Sequence, residues 1–115
     1  MGNDTPQPPT PIVGIAAIGD SVNIAGTSLQ GYVRTDYNTL ISVFGAPTIY
    51  NEDPTDKTTR EWWILFENGV TATIYDWKRY EMGAPGGTLM MDWNVGGSKR
   101  EAVDLIRERL AKAYA

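Results

Sequence analysis

The chain has 115 residues, enough for one domain with a core that folds unaided, and its 42% hydrophobic and 21% charged content is ordinary for a globular protein. It contains no Cys and no His, which excludes disulfides, thiolate catalysis, zinc–thiolate sites and a Ser-His-Asp triad, and removes the usual general base and transition-metal ligand. A net charge of −4 argues against a broad basic face for long nucleic acid, and no apolar run approaches the ~18–20 residues that span a membrane.

Residues 1–11 are Pro-rich and polar and read as a disordered leader; residues 12–115 read as a single domain. Residues 12–25 mix small and apolar side chains and suit a weak or edge strand. They lack a preceding basic region, so they are not a signal peptide. Residues 29–34 read as a short strand. Thr35-Asp36 then opens a helix in which Tyr37, Leu40, Ile41 and Phe44 form one apolar stripe, and Gly45-Ala-Pro stops it. Residues 48–50 are briefly extended, and residues 51–59 form a polar turn region.

Residues 60–78 carry the strongest local signal. Arg-Glu-Trp-Trp-Ile-Leu-Phe-Glu and Val-Thr-Ala-Thr-Ile-Tyr-Asp-Trp-Lys flank Asn68-Gly69, the pattern of a hairpin with a two-residue turn. That turn sets Leu65 opposite Ala72, Trp63 opposite Ile74 and Glu61 opposite Asp76 on an apolar, core-side face. It sets Ile64 opposite Thr73, Trp62 opposite Tyr75 and Arg60 opposite Trp77 on a polar, aromatic face. A Gly/Pro-containing loop follows over 79–87, then a strand over 89–95 that Gly96-Gly97 breaks. Ser98-Lys-Arg-Glu101 matches a capping box for a final helix, whose apolar face is Val103, Ile106, Leu110 and Ala113. The expected architecture is α+β: an antiparallel sheet of about four to five strands with two helices packed on one face.

Several motifs carry no chemistry. Gly19-Asp20-Ser21 resembles the first block of Gly-Asp-Ser hydrolases, but no His exists to activate Ser21. Glu52, Asp53 and Asp56 fit no EF-hand and enclose Pro54. Residues 83–87 lack the ending of a P-loop. Glu61 and Asp76, placed face to face, are the one possible acid/base pair, and nothing else completes an active site around them. No catalytic residue, metal or cofactor is therefore expected. The aromatic set Trp62, Tyr75, Trp77 and Trp93 has two readings: packing within the sheet or a subunit interface, or a stacking platform for a planar ring. Arg34 stands just before the first helix, and Lys99 and Arg100 fall in the first turn of the last one. A backbone anion site at a helix start would suit such cations.

Together, Phe44-Gly45-Ala-Pro47, Glu61-Trp62, Asn68-Gly69, Ala72-Thr-Ile-Tyr-Asp-Trp-Lys78 and Trp93-Asn-Val-Gly96-Gly97 resemble a group of small phage proteins, the first-described Thoeris anti-defence family. The resemblance covers about residues 27–110. It implies a non-enzymatic sponge that binds cyclic ADP-ribose signals made by bacterial TIR enzymes, in some members also cyclic oligonucleotides, in the cytoplasm of the infected host. It implies an antiparallel sheet with helices, assembly as a dimer or a higher oligomer such as a hexamer, and ligand held between subunits. It assigns stacking to Tyr75 or Trp77 and phosphate contacts to Arg34, Arg100 or Arg109. With Trp62, Trp93 and Lys78 from the same stretches, these are the candidate ligand-binding residues. The N-terminal segment is unlike the family, and its role stays open. The other expectation is a phage accessory protein that binds a protein partner through the aromatic sheet face.

Overall fold

The structure, a computed structural model, describes residues 12–51, 60–76 and 87–114. The expected leader (1–11), the acidic turn around Asp53, most of the Gly/Pro-containing loop, and the site candidates Trp77 and Lys78 lie outside the described residues.

The elements run β1 (Ile15–Ile18), β2 (Ser28–Thr35), α1 (Tyr37–Phe44), β3 (Ile49–Tyr50), β4 (Arg60–Phe66), β5 (Thr71–Tyr75), β6 (Met91–Gly97) and α2 (Glu101–Tyr114). The strands form one antiparallel sheet in the order β1-β4-β5-β6-β2, and β3 pairs with β4 beside β1. Both helices cover one face, as the α+β expectation requires, and with β3 the sheet reaches six strands. None of the described helices is long and apolar enough to cross a membrane.

Local chemistry sets the helix ends. Asp36 accepts from the Thr39 N–H at 2.8 Å and caps α1, and Gly45, at φ +84°, closes it by donating to Ile41 O at 2.8 Å. On α1, Leu40 and Phe44 are buried; on α2, Ala102, Val103, Leu105, Ile106 and Leu110 are. The expected capping box of α2 does not form. Ser98 N–H instead donates to Thr71 O at 3.0 Å, and Ser98 Oγ accepts from Thr71 N–H at 3.1 Å. Ser98 thus extends the β6–β5 ladder, and Lys99 and Arg100 occupy the turn before the helix. Ala113, expected on the apolar face of α2, is exposed.

The hairpin differs from expectation by one residue. Phe66 N–H donates to Val70 O at 2.9 Å, and Gly69, at φ +88°, donates to Phe66 O at 3.0 Å, so the loop is Glu67-Asn68-Gly69. This is the three-residue hairpin whose last loop residue needs a left-handed backbone. The pairs become Glu61 with Tyr75, Trp62 with Ile74, Trp63 with Thr73 and Ile64 with Ala72. Because side chains alternate, the shift turns β4 over relative to β5. Arg60, Trp62, Ile64 and Phe66 point under the helices; Glu61, Trp63 and Leu65 are on the open side.

Trp62 and Trp93 form the centre of the core. Both are fully buried and meet edge to face at 5.7 Å. Trp62 Nε1 donates to Gly45 O at 2.9 Å, and Trp93 Nε1 donates to Thr35 O at 3.2 Å, so each indole ties the sheet to one end of α1. Tyr37 lies against both rings. Gly96 and Gly97, expected to break the strand, are its last two residues and serve opposite faces. A Cβ on Gly97 would come 2.5 Å from that of Ala102 under α2, whereas one on Gly96 would come 2.5 Å from Thr73 Oγ1 on the open side.

Candidate functional site

The open face of the sheet is polar and aromatic, as expected, and keeps Thr73 and Tyr75, but β4 contributes Glu61 and Trp63 to it in place of Arg60, Trp62 and Ile64. Registers across four strands place Glu61, Tyr75, Asn94 and Tyr32 in one row. At a strand spacing of ~4.8 Å, the two tyrosines stand about 10 Å apart with Asn94 between them. The adjacent row holds Trp63, Thr73 and Gly96. Asn94 Nδ2 donates to Tyr75 O at 3.3 Å. Glu61 accepts from Trp63 Nε1, which fixes the carboxylate along the strand.

Over part of this face lies the segment between β1 and β2. Thr27 Oγ1 donates to Ile24 O at 2.8 Å, and Asn23 Oδ1 accepts from Ala25 N–H at 2.9 Å, so the segment is braced by its own turns. Ile24 and Thr27, with Leu29, wall a pocket of about 210 Å³ whose sheet side is Glu61, Thr73, Tyr75 and Gly96. Burial and the nearby Asp76 raise the Glu61 pKa, and the Trp63 indole opposes them. Burial raises the Tyr75 pKa, with Glu61 and Tyr32 adding to it. Tyr75 therefore presents a neutral phenol.

Of the sequence-derived candidates, Tyr75 is the one aromatic that the described residues place on this face. Trp62 is turned away from it by the one-residue register shift, Trp93 points under the helices from β6, and both are fully buried with their indole N–H groups engaged, so neither can stack on a ligand. Arg34 is exposed beside Asp92, at 3.4 Å, a pair about 60% exposed on both sides and so weak. Arg100 is exposed at the opposite end of β6. Asp92, opposite Arg34, and Gly97 are five residues apart along β6, or about 17 Å, so Arg34 and Arg100 do not converge on one phosphate from a single subunit. Arg109 Nη2 donates to Val13 O at 3.0 Å and braces the N-terminal segment. Glu61 and Asp76 do not face each other: Glu61 pairs with Tyr75, and Asp76 is buried on the helix side, accepting from Arg60 N–H at 2.8 Å.

Sequence reasoning missed Trp63, Tyr32 and Asn94, and it placed Glu61 with the core. The signal for β4 was present but ambiguous, because adjacent tryptophans give alternation no preferred face. It also missed Arg107, whose Nη2 donates to Tyr32 O at 3.1 Å in a second groove of about 360 Å³ between the outer edge of β2 and α2. Among the described residues there is no cluster of three or more metal-binding side chains.

Glu61 predicts a pH response. Burial holds its folded pKa above the ordinary carboxylate value, so the folded chain holds this proton more tightly than the unfolded chain. Its contribution to stability is favourable below about pH 4.5 and is lost as pH rises through the folded pKa. Glu61→Gln is expected to leave stability near neutral pH unchanged or slightly higher, and to flatten this part of the profile. Urea unfolding of both proteins from pH 4 to 8 measures it.

No protein family, no curated protein and no solved structure matches the chain.

Proposed function

We propose that the protein binds a cyclic nucleotide-type signal, a cyclic ADP-ribose isomer or a cyclic oligonucleotide, and sequesters it without turnover, so that a host defence effector is not activated. The observation that carries this reading is the row Glu61–Tyr75–Asn94–Tyr32: two aromatic rings and two hydrogen-bonding side chains on a sheet face that the helices leave open. Such a row suits planar rings, since stacking on an aromatic side chain contributes about 1–3 kcal/mol per base. The similarity of the 44–97 motifs to the Thoeris anti-defence family supports the same ligand class. A sponge working at nanomolar affinity needs about −12 kcal/mol. An open face with separated cations falls short of that. A second subunit would close the site and bring in further Arg side chains. The place of action that follows is the cytoplasm of an infected bacterium.

A protein partner is the second reading. It is favoured by Leu29, Tyr32 and Tyr114, each about half exposed, along the outer strand β2 and its neighbouring helix end.

The test is a release assay. The protein is incubated with lysate from cells whose TIR or cyclic-nucleotide defence has been triggered, washed, denatured by heat, and the eluate is identified by mass spectrometry. An intact cyclic nucleotide is expected, and Tyr75→Ala is expected to lower its affinity at least about tenfold, or 1.4 kcal/mol. A cleaved product would point to an enzyme. An empty eluate from lysate shown to contain signal would move the face to a protein partner.

A further inference from the structure

The pocket between the sheet and the 23–27 turn has a chemistry of its own. At about 210 Å³ it is smaller than the ~300–1,000 Å³ of pockets that enclose whole ligands. It therefore has room for one ring system of a larger molecule. Among the described residues its lining contains no Lys or Arg, and the one charged side chain among them is Glu61. No described cation meets a phosphate there. An ionised carboxylate only accepts hydrogen bonds, so the group that enters must donate them.

The rest of the lining narrows the donor further. Gly96 lets the Thr73 hydroxyl and the Tyr75 ring pack directly over the strand, because a Cβ there would come 2.5 Å from Thr73 Oγ1 and 3.5 Å from the Tyr75 ring. The Tyr75 ring and the Glu61 carboxylate line the same pocket, so a flat group that enters it has an aromatic ring to lie against. Trp63 Nε1 occupies one lone pair of Glu61 Oε2 and holds the carboxylate in place; each carboxylate oxygen has a further acceptor position. Two parallel acceptors match a ligand edge that carries two adjacent N–H donors, as they do in carboxylate–guanidinium pairs.

We propose that this pocket reads the base of the signal, receiving the adjacent ring N–H and amino group of a guanine-type ring on the Glu61 carboxylate. The inference rests on the nucleotide-binding reading above and narrows it to a guanine-containing cyclic oligonucleotide, because the adenine of a cyclic ADP-ribose isomer offers no pair of adjacent N–H donors. Phosphates then stay outside the pocket.

The experiment is titration of the full chain, by NMR or calorimetry, with guanosine monophosphate and inosine monophosphate, which differ by the amino group alone. Wild type is expected to prefer the guanosine nucleotide about tenfold, and Glu61→Gln, which replaces one acceptor by a donor at nearly constant shape, is expected to bring the ratio close to one. Equal binding of the two nucleotides by wild type, or a preference that survives in Glu61→Gln, overturns the proposal. So does a failure of both to bind when the release assay has yielded a nucleotide, an outcome that leaves the sequestration reading standing. If neither mononucleotide binds and nothing is released, both readings fall.

Discussion

Trp62→Ala is expected to lower the free energy of unfolding by about 3–5 kcal/mol, the range for removing a large aromatic from a core. The side chain is fully buried, meets Trp93 edge to face, and donates its indole N–H to Gly45 O at the end of α1. Truncation leaves a cavity beside Trp93 and orphans the Gly45 carbonyl. Single domains are stable by only about 5–15 kcal/mol, so much of the margin goes, and Tm should fall by more than about 10 °C. Thermal unfolding by circular dichroism measures this. Trp62→Phe, which keeps most of the apolar volume and loses the hydrogen bond, should cost distinctly less. A Trp62→Ala protein that melts like wild type would contradict the buried position and return Trp62 to the open face.

The second large effect concerns the paired glycines. Gly97→Val is expected to destabilise by about 1–3 kcal/mol or more, the cost of overpacking. A Cβ at Gly97 already comes 2.5 Å from Ala102 Cβ and 2.8 Å from Thr71 O. Helix α2 and the β5 backbone would both have to move. Gly96→Val points the other way, into the pocket against Thr73 Oγ1. It should cost less stability and abolish ligand binding. The contrast is read by denaturant unfolding and by the release assay on the same two proteins. Equal stability losses would mean that the two glycines do not serve opposite faces.

Each of these predictions depends on which face a side chain occupies, and the sequence carries that information unevenly. The two helices were legible because their signals are local: Asp36 caps, Gly45 terminates, and the 3.6-residue stripe of Leu40 and Phe44 repeats in Val103, Ile106 and Leu110. The strands were legible because β-branched and aromatic runs are bounded by turn residues, and the edge position of residues 15–18 follows from their weak, Gly-flanked pattern. Two helices on one side of an antiparallel sheet then follow from the order of elements and the need to bury their apolar stripes.

Tertiary structure decided the rest. Asn68-Gly69 suits both a two-residue and a three-residue loop, and the difference of one residue inverts β4. Packing chose the longer loop, which buries Trp62, Ile64 and Phe66 with Ala72 and Ile74 and leaves Glu61 and Trp63 outside. The alternative would have put Glu61 in the core and Phe66 in solvent. Ser98 could cap a helix or extend a strand, and the free edge of Thr71 took its hydroxyl. Arg34, Arg100 and Arg109 carry the same charge in the sequence, yet the fold sends them to separate places. What the sequence by itself determined was the set of elements, the two ends of α1 and the absence of Cys and His chemistry, because these depend on residue type and spacing within a few positions. The face of each side chain, and hence the membership of the site, depended on register and on contacts between residues distant in the chain, which no local pattern encodes.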